Sequence, residues 1–169
     1  GTSFFYPMSS MGAHVSAVPN HQTGRVTSLH TRGVVAMAGT FGYELNPALL
    51  TAEEKAEIRA QIGCFKQYEQ LICEGTYWRL ASPYTDAVSA WMMVSAQQDR
   101  ALVSAVRLEA EANAAVTYLR LRGLKPEAVY VEEASGRRYD GAALMNAGIP
   151  LPLARTEYEA YQFSFVIVE

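Results

Sequence analysis

The chain has 169 residues, of which 50% are apolar and 18% are charged, and its net charge is −3. This composition excludes a disordered chain, and the dispersed lysines and arginines exclude a nucleic-acid-binding surface. The longest nearly apolar run, residues 33–42, is about half of what a membrane span needs, so we expect no membrane association.

The first 75 residues have the pattern of an α/β fold. Continuous apolar runs at residues 3–6 and 12–17 predict two strands buried on both faces of a parallel sheet. A polar loop at residues 20–25 follows the second strand, and Thr27 or Ser28 can cap the helix after it. We expect this helix to run to about Ala38 and to be ended by Gly39 and Gly42. In parallel α/β folds, the loop after a strand is where ligands are held.

A second helix begins at a capping box formed by Thr51 and Glu54. Apolar residues recur on one face of this helix as far as Ile72, and Gly75 can terminate it. The chain's two cysteines, Cys64 and Cys73, both lie on this helix, about 13 Å apart at a rise of about 1.5 Å per residue. This distance is too long for a disulfide, so free thiols and the lack of a recognisable signal peptide predict a cytoplasmic protein.

After Gly75 the hydrophobic period changes toward two, which predicts β structure. The alternation places Leu119 and Leu121 inside, and a helical turn at residues 141–146 interrupts the series. Short alternating strands with turns between them predict an antiparallel sandwich or barrel. The predicted strands cover residues 90–95, 101–109, 118–122, 129–132 and 161–168.

Aromatic residues in the β region invite a sugar-binding interpretation, because sugar rings stack on flat apolar faces; the candidates are Trp78, Trp91 and Tyr130. The apolar neighbours of Trp91 favour a core position. Tyr130 shares the predicted outer face with Glu132, opposite Val129 and Val131, so we expect it to be exposed. By the same alternation, we expect Arg107 to face outward.

The first 75 residues hold too few strands to stand alone. A (β/α)8 barrel takes about 250 residues, and two strands without neighbours would leave backbone groups unpaired. The expected fold class is therefore α/β followed by all-β, with the first part incomplete.

Three motifs carry a resemblance to a known family. Residues 11–25 and 31–46 closely resemble the large α-galactosidases of glycoside hydrolase family 36, with the sequences MGAHVSAVPNHQTGR and TRGVVAMAGTFGYELN. Residues 139–148, YDGAALMNAG, resemble the same family near its C-terminus. The resemblance implies the last βα elements of a catalytic (β/α)8 barrel over residues 1–75 and a C-terminal antiparallel β-sandwich over residues 76–169.

The resemblance also implies a function. Such enzymes hydrolyse terminal α-galactosyl residues of sugars such as melibiose or raffinose with retention, and they need no metal or other cofactor. Retention requires two carboxyl groups about 5–5.5 Å apart, which in the family are aspartates on earlier barrel strands. Here the first acid is Glu44, which we expect to follow both strands and their loops. The isolated chain should therefore be inactive, and its implied partners are an upstream barrel portion, the α-galactoside and further copies of the full-length enzyme.

Three residues are candidates for the rim of the sugar site: His14, Asn20 and His21. The alternative for His14 is a buried histidine bonded to the backbone, and the loop residues can instead stabilise their own turn. Arg25 and Arg32 are expected to pair with carboxylates or helix ends. No residue is assigned a catalytic or metal-binding role.

Two other functions remain open for the β region. It can be a non-catalytic carbohydrate-binding module, or a module used for oligomer assembly.

Overall fold

The computed structural model describes residues 3, 5–153 and 156–168. The chain forms two compact units, Gly1–Glu74 and Gly75–Glu169, and the boundary lies where the hydrophobic period of the sequence changes. Within the described residues, no helix combines the length and apolarity that crossing a membrane would require.

The first unit contains a parallel strand pair and two main helices. Its elements are β1 (Gly12–Ser16), α1 (Leu29–Ala36), β2 (Thr40–Glu44) and α2 (Ala52–Glu74), with short 3-10 turns at Met8–Ser10 and Pro47–Leu49. The register places Gly12 opposite Thr40 and Ser16 opposite Glu44. The pairing is parallel, as the α/β pattern predicts.

Both predicted helix starts are confirmed. The Ser28 hydroxyl accepts a hydrogen bond from the Thr31 amide at 3.0 Å and begins α1. At α2, the Thr51 amide donates to the Glu54 carboxylate at 2.9 Å, and the Glu54 amide donates to the Thr51 hydroxyl at 3.2 Å. These reciprocal bonds satisfy amides that no helical carbonyl can reach.

The strand predicted at residues 3–6 is wrong. Ser3, Phe5 and Tyr6 lie in helical turns and bends, while Phe4 is outside the described residues. The partner of β1 is β2 instead, a strand that was not predicted because Gly39 and Gly42 suggested a helix end. Within this chain, the helices cover one face of β1 and the other face is exposed.

The covered face of the strand pair packs on the two helices. Val15 is fully buried with Leu29 and Ala36, and Phe41 and Tyr43 pack against them. This cluster is the hydrophobic core of the first unit.

A buried glutamine links these elements. The Gln61 carboxamide accepts from the Tyr43 hydroxyl at 2.9 Å and donates to the Leu29 carbonyl at 3.1 Å. A Cβ on Gly33 would lie 2.5 Å from this amide, so a larger residue there would displace the Gln61 side chain. The hydrogen bonds satisfy a polar group that would otherwise be costly to bury.

The second unit is built on a six-stranded antiparallel sheet with the order β3-β4-β5-β10-β7-β8, and β6 and β9 form a separate two-stranded ribbon. The elements in chain order are β3 (Thr76–Ala81), β4 (Val88–Val94), β5 (Arg100–Arg107), β6 (Tyr118–Leu119), β7 (Val129–Glu132), β8 (Arg138–Asp140), α3 (Gly141–Asn146), β9 (Ile149–Pro150) and β10 (Ala160–Ile167). The strands β3, β8 and β9 were not predicted.

The core of the second unit lies between one face of the sheet and the segments around β6, β9 and α3. The predicted inward positions of Leu119 and Leu121 are confirmed. One face of the last strand also packs here, with Tyr161, Phe163, Phe165 and Ile167. From the covering segments come Leu124, Leu144, Ile149 and Leu151.

The predicted orientation of β7 is wrong. Tyr130 is fully buried, and its hydroxyl donates to the Gln98 carbonyl at 2.6 Å and accepts from the Lys125 amide at 3.0 Å. Glu132 is buried as well, whereas Val129 and Val131 are only partly covered. The predicted orientation failed because β7 offers apolar atoms on both faces, so alternation alone does not show which face meets the core. The Tyr130 ring packs in the hydrophobic core, and its hydroxyl is satisfied there. Arg107, also expected outside, is buried too.

Tyr43 provides a pH-dependent test of the first unit. Burial, reinforced by the negative charge of Glu57, raises the pKa of Tyr43 to about 12. The folded state holds the phenol proton more tightly than the unfolded chain, whose tyrosines titrate at about 10. The stability from this group is therefore present below pH ~10 and is lost as the pH rises toward 12.

We expect Tyr43→Phe to remove this part of the alkaline loss of stability, measured by thermal unfolding between pH 9 and 12. The matched control is Tyr84→Phe, because Tyr84 is 90% exposed. In absorbance titrations, the phenolate signal that Tyr43→Phe lacks should have its midpoint at about pH 12. A midpoint at about pH 10, as in an unfolded chain, would contradict the assignment.

Candidate functional site

The exposed face of the strand pair carries polar side chains. Side chains alternate along β1 and β2, so Val15 and Tyr43 point to the helices while the opposite face carries His14, Ser16 and Glu44. Ser16 and Glu44 are the last residues of their strands. The polar groups therefore gather toward the C-terminal ends of two parallel strands.

The side chains of His14 and Glu44 pair on this face. The Nε2 atom of His14 lies 2.7 Å from Oε2 of Glu44, and the two side chains are 50% and 75% exposed. Gly42 stands opposite His14 in the register, so no side chain separates the imidazole from the diagonal carboxylate. An exposed pair of this kind contributes at most about 1 kcal/mol to stability.

Two expectations are corrected by this pair. Within this chain, His14 pairs with the Glu44 carboxylate rather than with the backbone of its alternative interpretation. Glu44 does not follow both strands, because it is the last residue of β2. The period-two alternation of residues 40–44 is typical of a strand, but Gly39 and Gly42 suggested a helix end.

The pair presents two hydrogen-bond acceptors to a ligand. A carboxylate next to Nε2 holds the neutral imidazole in the tautomer protonated at that nitrogen, which leaves Nδ1 of His14 as an acceptor. The second oxygen of Glu44 is another acceptor. This arrangement suits groups that donate, such as hydroxyls.

The loop after β1 is organised by Asn20. Its side-chain oxygen accepts from the Gln22 amide at 3.1 Å and from the amide and hydroxyl of Thr23 at 3.0 and 3.1 Å. The Asn20 amide also donates to the Arg25 carbonyl at 2.9 Å. Asn20 therefore stabilises its own loop, which was the alternative interpretation, while the neighbouring His21 is exposed.

Arg32 fixes the start of this loop. Its Nη1 donates to the carbonyl of Ser16, the last residue of β1, so it binds a strand end rather than the expected carboxylate or helix end. Burial lowers the pKa of Arg32, and the charges of Glu54 and Glu57 oppose this shift. The bond ties the point where the chain leaves β1 to α1.

The aromatic residues that were candidates for sugar stacking are buried or half-buried. Trp91 and Tyr130 are buried, as was expected for Trp91 alone. Trp78 is half-buried, and a Cβ on Gly123 would lie 2.5 Å from its indole nitrogen. In the part of the chain that the structure covers, no three His, Cys, Asp or Glu side chains are grouped as a metal site would require.

Comparison with known proteins covers both units. A family model described as Melibiase matches residues 1–75, and the model of the glycosyl hydrolase family 36 C-terminal domain matches residues 88–165. The bifunctional α-galactosidase/sucrose kinase AgaSK of Mediterraneibacter gnavus is 74% identical over 165 residues, which are 98% of this chain and 18% of that protein. The α-galactosidase AgaA of Geobacillus stearothermophilus is 51% identical over 158 residues, 94% of this chain and 22% of that protein.

Solved structures agree with these matches. The galactosidase domain of AgaSK has a TM-score of 0.97 and 73% identity, and the match covers 99% of this chain and 23% of that one. An AgaA variant in complex with raffinose has a TM-score of 0.95 and 47% identity, with 98% and 23% covered. The chain thus spans about a fifth of the length of the curated relatives it matches.

These matches place the chain among the glycoside hydrolases. It belongs to glycoside hydrolase family 36 and corresponds to a C-terminal part of the family's α-galactosidases. The resemblance drawn from the sequence motifs is therefore confirmed, whereas the rim role of His14, Asn20 and His21 stays a prediction.

The loop role of Asn20 can be tested by hydrogen exchange. Asn20→Ala removes the acceptor of two loop amides, so the amides of Gln22 and Thr23 should exchange about tenfold faster. Asn20→Asp keeps an oxygen at this position and is the matched control. Unchanged exchange in Asn20→Ala would show that the loop holds its shape without this side chain.

Proposed function

We propose that the protein functions within a retaining α-galactosidase, as the end of its catalytic (β/α)8 barrel followed by its β-sandwich. The observation that carries this proposal is the parallel pair β1–β2, with helices on one face and the His14–Glu44 pair on the other. In such barrels the helices form the outer layer and the opposite face of each strand points inward. The names of the relatives, AgaSK and AgaA, support the same activity.

This arrangement supports a position next to the substrate. Active sites of (β/α)8 barrels lie at the C-terminal ends of the strands, where β1 leads into the loop of Asn20 and His21 and β2 ends at Glu44. His14, Asn20 and His21 would then line the rim of the galactoside site. The substrate class would include oligosaccharides such as melibiose or raffinose, and raffinose is bound by the AgaA variant in its structure.

The two catalytic carboxyl groups would come from the upstream barrel portion. Retaining hydrolysis needs a nucleophile and an acid/base about 5–5.5 Å apart. Among the described residues of β1 and β2, Glu44 is the one acid on the exposed face. Its carboxylate is already paired with His14. The chain alone would therefore be inactive.

The β-sandwich would serve as a structural module of the enzyme, and assembly into homo-oligomers remains part of the proposal. A carbohydrate-binding role is less favoured because Trp91 and Tyr130 are buried. Both cysteines are present outside any disulfide, which supports a cytoplasmic enzyme.

A chimera tests the proposal directly. This chain would replace the matching region of the AgaSK galactosidase domain, which is 73% identical. We expect the chimera to hydrolyse nitrophenyl α-galactoside with a kcat within about tenfold of the parent, because core substitutions that preserve volume are tolerated. The chain alone should release no nitrophenol.

A second chimera that carries only residues 76–169 is the matched control, because it leaves the parent's barrel untouched. A folded chimera of the whole chain without activity, beside an active control, would contradict the proposed barrel role. Hydrolysis by the pure chain would contradict the upstream position of the catalytic carboxyl groups.

A further inference from the structure

We propose that Glu44 and His14 act as one unit that binds hydroxyl groups of the galactoside. The inference rests on the proposed function and adds Glu44 as a substrate-binding residue. The pair lies on the face of β1 and β2 opposite the helices, and Glu44 ends its strand.

The position of the pair favours contact with a ligand. Ser16 and Glu44 are the last residues of their strands, and active sites of (β/α)8 barrels lie at the C-terminal ends of the strands. Gly42 leaves the space beside His14 open, since a Cβ there would approach only the Ala13 carbonyl, at 4.0 Å. A ligand can therefore reach the imidazole and the carboxylate from the same side.

The chemistry of the pair matches a sugar. Hydroxyls donate to carboxylates in short, charge-assisted hydrogen bonds, which are stronger than neutral ones. Glu44 supplies such an acceptor with its second oxygen, and it also holds His14 in the tautomer whose Nδ1 accepts. Two acceptors at a fixed separation fit two hydroxyls of one sugar ring, whereas an anionic ligand would be repelled by Glu44.

The test uses the chimera that carries the unchanged chain as its reference. Relative to it, Glu44→Ala should lower kcat/KM for nitrophenyl α-galactoside by about 10- to 100-fold, as expected when a charged hydrogen-bond partner of the substrate is lost. It should also weaken inhibition by galactose at least about tenfold. Glu44→Gln should retain part of both, because its amide oxygen can still accept from His14.

A comparison of the single and double variants shows whether the two residues act as one unit or make independent contacts. His14→Ala should cause a loss similar to that of Glu44→Ala, and the double variant should lose much less than the product of the two. The matched control is Glu69→Gln, an exposed acid on α2, which should leave both measurements unchanged.

Each outcome has one meaning. An active reference whose Glu44 and His14 variants keep kcat/KM and galactose inhibition within twofold overturns this inference and leaves the proposed function standing. Losses that merely follow a lowered unfolding temperature also overturn it, because they indicate a structural pair. A folded but inactive reference removes the proposed function and this inference with it.

Discussion

The pairing of β1 with β2 is the constraint on which the first unit depends. Within the described residues, these two parallel strands pair only with each other, so each has an edge without a strand neighbour. Backbone amides and carbonyls along such edges need partners, and a two-strand sheet is marginal in water. One face is covered by the helices and the other carries His14 and Glu44. We infer that this sheet is a segment of a larger one.

The second unit contrasts with the first in this respect. Its six strands pair antiparallel in one sheet, and one face of that sheet has its own core with β6, β9 and α3. Tyr130 shows that a polar group in this core can find its partners within the unit, because its hydroxyl makes two hydrogen bonds there. An antiparallel sheet with its own core can form from a continuous stretch of chain, whereas a parallel barrel needs distant strands.

The sequence predicts features that arise from local chemistry and fails where tertiary context decides. The capping box of Thr51 and the inward position of Leu119 follow from hydrogen-bonding groups and from period alone. The strand at residues 40–44 was missed because Gly39 and Gly42 suggested a helix end. Glu44 was therefore not predicted as a site residue. Tyr130 was misplaced because an amphipathic side chain fits either face until its hydroxyl partners are known. The His14–Glu44 contact depends on strand register, which no single strand specifies.

Hydrogen exchange along β1 and β2 tests the central claim most directly. The relevant amides are those that donate no hydrogen bond to the partner strand. Their exchange rates are compared between the 169-residue chain and the same residues inside the AgaSK chimera. If the strands belong to a larger sheet, these amides should exchange fast in the chain alone and at least about tenfold more slowly in the chimera. Equally slow exchange in both would show that the strand pair is complete by itself, which would contradict the account.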